Sequence, residues 1–265
     1  MTVVESGLLQ GRVPYIRGGS GPREALVLFG VNALLKRLDQ TSDPGRYARQ
    51  VAAILPGYRF TILGYAGGGG YGDLVRDVAA VVDRPVDLLI GISFGGFVAV
   101  RFAAEYPEVV RRLVLLVSAH RFSDAGRRSV EGQMAALEGG DLRRLVSENA
   151  LLFRRPWYNA LVRLRFAMGG ESVTLAFRQA AEILRDYRVL FGAELAENAA
   201  YCRRVVSPAL VIGGTGDQLF DRTCFEETAA LIPKAQLRLF EGETHMLPVE
   251  RSRDVARAIA AFADY

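Results

Sequence analysis

The sequence has few cysteines and histidines, and each shortage excludes a class of protein. Its 265 residues include two cysteines, Cys202 and Cys224, which are too few for a disulfide framework. They indicate reduced thiols, and we therefore expect a cytoplasmic protein. The two histidines of the chain, His120 and His245, exclude a metal centre that is built from several histidines. Any chemistry that depends on an imidazole must use one of these two side chains.

Excess charge and long apolar runs are also lacking. The 33 basic and 29 acidic residues leave a net charge of +4, which is too small a surplus to indicate nucleic-acid binding. No stretch approaches the roughly 18 apolar residues of a membrane span. The first seven residues lack the basic segment and apolar run of a signal peptide. With half of its residues hydrophobic, the chain has the composition and length of one large globular α/β domain.

Short apolar runs alternate with helical patterns over the first 120 residues. We predict strands at residues 25–29, 58–63, 87–90 and 112–118, and helices at 44–55, 73–82 and 94–106. Strands that are apolar on both faces and are joined by helices indicate a mostly parallel sheet that is covered on both sides. Residues 12–17 are expected to add an antiparallel strand at the edge of the sheet, followed by a turn at 18–22.

The alternation stops after the strand that ends near Ser118. Residues 121–198 contain helical patterns and no convincing strand, with helices predicted at 141–153, 156–168 and 172–190. The sheet pattern returns at residues 209–212 and 236–240, and a final helix covers 253–262. We therefore expect a core formed by residues 1–120 and 199–265, with a helical insertion at 121–198.

A serine motif lies between the predicted strand 87–90 and the helix that follows it. Gly91-Ile92-Ser93-Phe94-Gly95-Gly96 is a G-x-S-x-G sequence in the strand–turn–helix context that gives this pattern its meaning. A sharp turn would lift the Ser93 hydroxyl clear of the sheet, and only small flanking residues tolerate the crowding. The free amides of the following helix would favour a developing oxyanion. The alternative is an ordinary serine in a glycine-rich turn.

A serine hydroxyl needs a base, and the base needs a carboxylate partner. His245 follows the last predicted strand, where a loop can reach the carboxyl edge of the sheet; a surface histidine is the alternative. Asp217 follows the strand 209–212, with an ordinary turn aspartate as the alternative. Asp221 is the nearest rival for the acid, and Asp124 is a weaker one. The order Ser93, Asp217, His245 is the order expected of a nucleophile elbow in this architecture.

These residues make the chain resemble the α/β-hydrolases, and among them the capped bacterial serine esterases. The resemblance covers nearly the whole chain and implies an α/β-hydrolase fold with residues 121–198 as a cap over the site. It implies that Ser93 is the nucleophile, His245 the base and Asp217 the acid. It also implies that the backbone amides of Val31 and Phe94 form the oxyanion hole, and that neither a metal nor another cofactor is needed.

One loop departs from the pattern of the family. Members often carry His-Gly after the first parallel strand, whereas this chain has Phe29-Gly30-Val31-Asn32. Gly30 still permits the sharp turn, and backbone donors do not depend on the missing histidine. By position, the candidates for substrate contact are Gly30, Asn32, His120, Trp157, Tyr158 and Met246. Loop hydrogen bonding is the alternative for Asn32, packing for His120, and the core of the cap for the two aromatic residues.

Two further patterns leave alternatives open. The segment 142–165 has six arginines against Glu148 alone, which suits either a solvated helix face or recognition of an anionic group or acidic carrier; they are Arg143, Arg144, Arg154, Arg155, Arg163 and Arg165. The run 67–72 matches the dinucleotide pattern G-x-G-x-x-G, but a strand–helix unit precedes it and the next strand lacks the acidic residue that binds ribose. We interpret this run as a loop that borders the pocket.

Together these features predict an enzyme, a serine hydrolase that cleaves a carboxylic ester or related small acyl compound through an acyl-enzyme. The same three residues could serve an acyl thioesterase, a lactonase, a carbon–carbon hydrolase or an acyltransferase. A ligand-binding protein without catalytic activity, built on a hydrolase scaffold, is the alternative from another class, and the altered loop at 29–32 is the feature that favours it.

Overall fold

The computed structural model describes residues 4–31, 38–66, 70–141, 143–145, 154, 157, 159–161, 164, 168 and 188–264. These residues contain one sheet of eight strands. In chain order the strands are β1 (Glu5–Leu9), β2 (Val13–Gly19), β3 (Arg23–Leu28), β4 (Tyr58–Leu63), β5 (Leu88–Ile92), β6 (Leu113–Leu116), β7 (Ala209–Gly214) and β8 (Ala235–Phe240).

The sheet has the order β1-β2-β4-β3-β5-β6-β7-β8. β1 pairs antiparallel with β2 and β2 antiparallel with β4, while every pairing from β4 through β8 is parallel. The strand order reverses at β3, which lies between β4 and β5. Ligands of open α/β sheets bind beyond the carboxyl ends of the strands at such a reversal. The expected α/β fold with a mostly parallel sheet is confirmed, and the reversal marks where a site should lie.

The described helices, numbered in chain order, lie between and after the strands. They are α1 (Pro44–Ile54), α2 (Tyr71–Val81), α3 (Phe94–Glu105), α4 (Asp124–Glu138), α5 (Asn198–Arg204), α6 (Arg222–Leu231), α7 (Leu247–Glu250) and α8 (Ser252–Ala263). α1 packs against α8, whereas α3 contacts α2 and α5, and α5 contacts α6. α3 is buried along nearly its whole length, as are the side chains of β6. The helix that follows Ser93 therefore lies at the centre of the core.

The boundaries differ from the predictions in instructive ways. Sequence patterning does not predict β1, because its five residues are mostly exposed and show no clear apolar alternation. The strand predicted at residues 12–17 is present as β2 and runs on to Gly19. Its predicted place at the edge of the sheet is wrong, because β1 pairs with its outer side and β4 with its inner side. After β6 the described residues include α4 and a capped start at Asp141, whose Oδ1 accepts a 2.9 Å hydrogen bond from the Arg144 amide. Most of the three helices predicted between 141 and 190 lies outside the described residues, so the domain boundaries stay predictions.

A buried arginine holds the end of the 121–198 segment on α3. The Arg101 guanidinium lies 4.2 Å from the ring centre of Tyr71 and 4.6 Å from that of Tyr201, and its Nε donates to Asn198 Oδ1 at 2.8 Å. The Tyr71 hydroxyl donates to the Leu190 carbonyl at 2.8 Å. Cation–π contacts of this kind are strongest where water is excluded. The chain is thus fixed to the helix after Ser93 where it returns to the core.

Across the described ranges, no helix is both long and apolar enough to span a bilayer.

Candidate active site

Ser93 occupies a strained turn between β5 and α3. Its φ of 53° and ψ of −122° lie in a region that residues other than glycine seldom adopt. Its amide donates to the Leu116 carbonyl at 3.0 Å, which ties the turn to β6. The flanking glycines are needed, because a Cβ at Gly95 would lie 2.1 Å from the Leu28 carbonyl oxygen and one at Gly91 would lie 2.4 Å from Gly96 Cα. The predicted elbow is therefore present as a turn that only glycine can accommodate at these positions.

His245 lies in the turn between β8 and α7 and connects the other two predicted residues. Its Nε2 is 2.9 Å from Ser93 Oγ, and its Nδ1 is 2.8 Å from Asp217 Oδ2. An ionised carboxylate can only accept hydrogen bonds, so Nδ1 carries the proton and Nε2 presents a lone pair to the serine hydroxyl. The structure thus brings together all three residues predicted to form a triad, in the tautomer that suits a general base.

Asp217 is held by its own turn, directly after β7. Its side chain is fully buried, and Oδ1 accepts hydrogen bonds from the amides of Leu219 at 2.8 Å and Phe220 at 3.2 Å. These donors leave Oδ2 directed at His245. The rival Asp221 instead caps α6 by accepting from the Cys224 amide at 2.9 Å, and Asp124 is the first residue of α4. Sequence reasoning misses the two amides, because backbone donors leave no signal in residue type.

Backbone hydrogen bonds join the turn of Asp217 to the loop of His245. The Gly216 amide donates to the Glu243 carbonyl at 2.9 Å, and the Thr215 amide donates to the Phe240 carbonyl at 3.0 Å. The Gly242 amide donates to Thr215 Oγ1 at 2.8 Å. Catalytic geometry is most precise when such supports fix the loops that carry it. The turn of Asp217 and the loop of His245 are therefore held together by hydrogen bonds.

Gly30, which precedes Val31, and Phe94, which follows the serine, both lie next to Ser93. A Cβ at Gly30 would be 3.5 Å from Ser93 Cβ and 3.9 Å from Ser93 Oγ, so the loop after β3 passes beside the hydroxyl. Val31 is the next residue and is partly exposed. Phe94 is the first residue of α3, where helical amides have no acceptor within the helix. That the amides of Val31 and Phe94 stabilise an oxyanion stays a prediction.

An arc of aromatic rings runs from Phe94 to His245, and no motif of the sequence predicts it. Ring centres are 5.7 Å apart for Phe94 and Phe191, 6.5 Å for Phe191 and Phe122, 5.1 Å for Phe122 and Phe220, and 5.9 Å for Phe220 and His245. Phe122 and Phe191 are partly exposed. Aromatic rings at these separations attract one another beyond the area they bury. The arc gives this side of the site an apolar character.

The remaining predicted contact residues are placed differently. His120 Nδ1 lies 3.0 Å from Thr228 Oγ1 on α6, and burial lowers the pKa of this histidine. Met246 directly follows His245 and is partly exposed, while Trp157 is exposed. Asn32 and Tyr158 lie outside the described residues, as do residues 67–69 of the glycine-rich run. A packing role for His120 agrees with its position.

Three of the six arginines between 142 and 165 can be placed. Arg143 and Arg144 are exposed. Arg154 Nη1 forms an ion pair of 2.8 Å with Glu243 Oε1 in the loop of His245. Arg155, Arg163 and Arg165 lie outside the described residues.

Comparison with known proteins identifies the family. The profile of the alpha/beta hydrolase family matches residues 32–258, a range that contains Ser93, Asp217 and His245. The chain belongs to the alpha/beta hydrolase family. The strand order and the serine turn of this family member agree with that assignment. The family hosts many different reactions, so membership by itself does not identify the substrate.

Several named proteins are similar to this alpha/beta hydrolase. Lipase 3 of Moraxella sp. (strain TA144) is 27% identical over 66% of this chain and 55% of its own length. The 2-hydroxymuconate semialdehyde hydrolase of Pseudomonas putida is 30% identical over 66% of this chain and 61% of its own. Polyketide synthase ThaQ of Burkholderia thailandensis is 28% identical over 96% of this chain but 12% of its own. The chain thus spans less than two thirds of each of these relatives.

Solved structures agree on the fold. MGS-M2, an alpha/beta hydrolase enzyme from a Medee basin deep-sea metagenome library, superposes with a TM-score of 0.76, covering 98% of both chains. The identity is 14%, so this likeness concerns the fold alone.

Proposed function

We propose that the protein is a serine hydrolase that cleaves a carboxylic ester or a related small acyl compound. The observation that carries the proposal is the continuous hydrogen-bonded path from Asp217 through His245 to Ser93, with distances of 2.8 and 2.9 Å. A nucleophile, a base and an orienting carboxylate within hydrogen-bond reach are what acyl transfer by a serine requires. Similarity to Lipase 3 supports the ester as the bond attacked.

Each step follows from the position of one group. Ser93 Oγ attacks the substrate carbonyl carbon while His245 Nε2 accepts the hydroxyl proton. The buried Asp217 carboxylate stabilises the imidazolium that forms and keeps its Nδ1 proton in place. The amides of Val31 and Phe94 hold the oxyanion of the tetrahedral intermediate. His245 returns the proton to the leaving alcohol, then activates water, which releases the acyl group from Ser93.

Replacement of the nucleophile tests the proposal. Ser93→Ala should fold and lose at least about 10⁴-fold in kcat on any ester that the wild type cleaves. A fluorophosphonate probe should label the wild type at Ser93 and leave the variant unlabelled. Ser129→Ala, on the partly exposed face of α4, is the matched control and should label like the wild type. Ester turnover retained by Ser93→Ala would overturn the assignment.

A thioester on an acyl carrier is the second candidate substrate. It is supported by the similarity to ThaQ, a polyketide synthase, over 96% of this chain, and by the exposed Arg143 and Arg144, since guanidinium groups suit acidic and phosphate-bearing partners. A comparison of kcat/KM for one acyl group presented as a simple ester and as a pantetheine thioester decides between the two. A ratio that strongly favours the thioester would replace the ester as the preferred substrate.

Carbon–carbon bond cleavage and ligand binding without catalysis would each give a distinct result. Cleavage of a carbon–carbon bond, supported by the similarity to 2-hydroxymuconate semialdehyde hydrolase, would appear as turnover of 2-hydroxymuconate semialdehyde with little turnover of esters. A ligand-binding protein without catalytic activity would bind acyl compounds tightly and fail to react with the fluorophosphonate. A small-molecule acyl substrate and a cytoplasmic location remain part of the proposal.

A further inference from the structure

A buried carboxylate lies two residues before His245 and has no role in the mechanism above. The Glu243 side chain is 5% exposed, and its Oε1 lies 2.8 Å from Arg154 Nη1 and 3.5 Å from Arg251 Nη1. Among the described residues, no donor reaches Oε2. A buried charge is tolerated when a countercharge satisfies it. Of the two arginines, Arg154 makes the shorter contact with this buried carboxylate.

Arg154 comes from the segment predicted as the cap, 89 residues away in sequence. Its backbone amide donates to Glu250 Oε2 at 3.3 Å, in addition to the ion pair of its side chain with Glu243. Glu243 precedes His245 and Glu250 follows it at the end of α7. Carboxylates on both sides of the base thus bind the same residue of the 121–198 segment.

The backbone of Glu243 is fixed to the acid turn as well. Its carbonyl accepts the Gly216 amide at 2.9 Å, one residue before Asp217. Gly214 passes so close that a Cβ there would lie 2.1 Å from the Glu243 carbonyl oxygen. A shift at position 243 therefore moves the loop of His245 relative to Asp217.

We infer that Glu243 is a positioning residue, which couples residue 154 of the predicted cap to the placement of His245 between Asp217 and Ser93. The inference rests on the proposed function. Glu243 acts through the loop that carries the base, not on the reacting atoms. Small errors of placement at a general base cost large factors in rate, so loss of this one ion pair is expected to lower turnover more than it lowers substrate binding.

Four variants and a control test the coupling. Arg154→Met removes the partner from a half-exposed position and should fold, while Glu243→Gln keeps the shape of the carboxylate and removes its charge. We expect each to lower kcat about tenfold with KM changed less than about twofold. The double variant should be no worse than Glu243→Gln alone, because that single variant already lacks the Glu243–Arg154 ion pair. Arg154→Lys should restore most of the rate, and Arg127→Gln, which breaks an exposed pair with Glu131 in the same segment, should have no effect.

A measurement that needs no substrate separates this inference from the proposed function. The His245 Nδ1 proton, hydrogen-bonded to a carboxylate, should give a strongly downfield proton resonance, identified by its loss in His245→Asn. We expect it to broaden or shift in Arg154→Met and Glu243→Gln and to stay unchanged in Arg127→Gln.

Activity of the wild type determines which measurement decides the coupling. Failure of the wild type to turn over any acyl substrate would sink the proposed function, and the resonance alone would then decide the coupling. With an active wild type, unchanged kcat in both single variants, or losses that simply add in the double variant, would overturn the role of Glu243.

Discussion

The two histidines of the chain lie in similar places in the fold but have different hydrogen-bond partners. Each is 9% exposed and each follows a strand of the sheet, His120 after β6 and His245 after β8. Each also directs Nδ1 at an oxygen about one hydrogen bond away, Thr228 Oγ1 at 3.0 Å and Asp217 Oδ2 at 2.8 Å. Position and burial therefore do not distinguish a base from a packed histidine in this fold.

The group that accepts the hydrogen bond from Nδ1 distinguishes the two histidines. Thr228 gives its own hydroxyl proton to the Cys224 carbonyl at 2.6 Å, so His120 must donate from Nδ1, as His245 does. The two rings are thus the same tautomer, but a neutral hydroxyl does not stabilise an imidazolium as a carboxylate does. Burial and Arg121 lower the pKa of His120 more than Glu227 raises it, so its neutral form is favoured. A base needs a negative charge behind it and a hydroxyl in front of it, and His245 has both.

Replacement of each histidine by asparagine should give the largest contrast. His245→Asn removes the proton acceptor of Ser93, and kcat should fall by on the order of 10⁵-fold or more. His120→Asn should leave kcat close to that of the wild type, because asparagine can still donate to Thr228. Steady-state kinetics on one ester, with thermal unfolding as a check on folding, measures both. Comparable losses of kcat in the two folded variants would show that the distinction is mistaken.

Removal of the charge behind the ring should have the next largest effect. Asp217→Asn keeps an oxygen for the amides of Leu219 and Phe220 but replaces the charge that stabilises the imidazolium. The expected loss in kcat is about 10⁴-fold. Asp221 supplies the matched control four residues on, since Asn caps a helix nearly as well as Asp.

Asp221→Asn should therefore keep both activity and stability, and Asp221→Ala should lose about 1 kcal/mol of unfolding free energy with its activity intact. Denaturant unfolding and initial rates measure the two quantities. A large loss of activity in Asp221→Asn would move the acid to that position.

The nucleophile elbow could be predicted because its requirements are local. A sharp turn between a strand and a helix forces glycine at 91 and 95, and the structure shows the backbone atoms that any Cβ would meet there. The order of Ser93, Asp217 and His245 follows from the alternation of strands and helices. β1 is not predicted from the sequence, because a short strand that is mostly exposed at the edge of the sheet needs no apolar pattern.

The parts of the site that sequence patterns do not predict depend on contacts between distant segments. The aromatic arc joins residues 94, 122, 191 and 220, which no window of sequence brings together. In the sequence, Glu243 is an ordinary charged residue of a turn. Its proposed role depends on the ion pair with Arg154, which lies far away in the chain. Both features require the path of the chain between β6 and β7, which local patterning does not determine.

The smallest expected effect concerns the stability of the fold in mild acid. Because the folded-state pKa of His120 is lowered by burial, the unfolded chain binds a proton below about pH 6.5 that the folded chain still excludes. His120 therefore costs stability as the pH falls through that value and costs nothing above it. Ionisable groups that face it are Arg121, Glu227 and Arg203, and the attraction of Glu227 is outweighed. His120→Gln removes the titrating group and should flatten the decline in unfolding free energy between pH 7.5 and pH 5.5, measured by denaturant titration. An equally steep decline in His120→Gln would mean that the acid sensitivity arises elsewhere and that His120 is not held neutral.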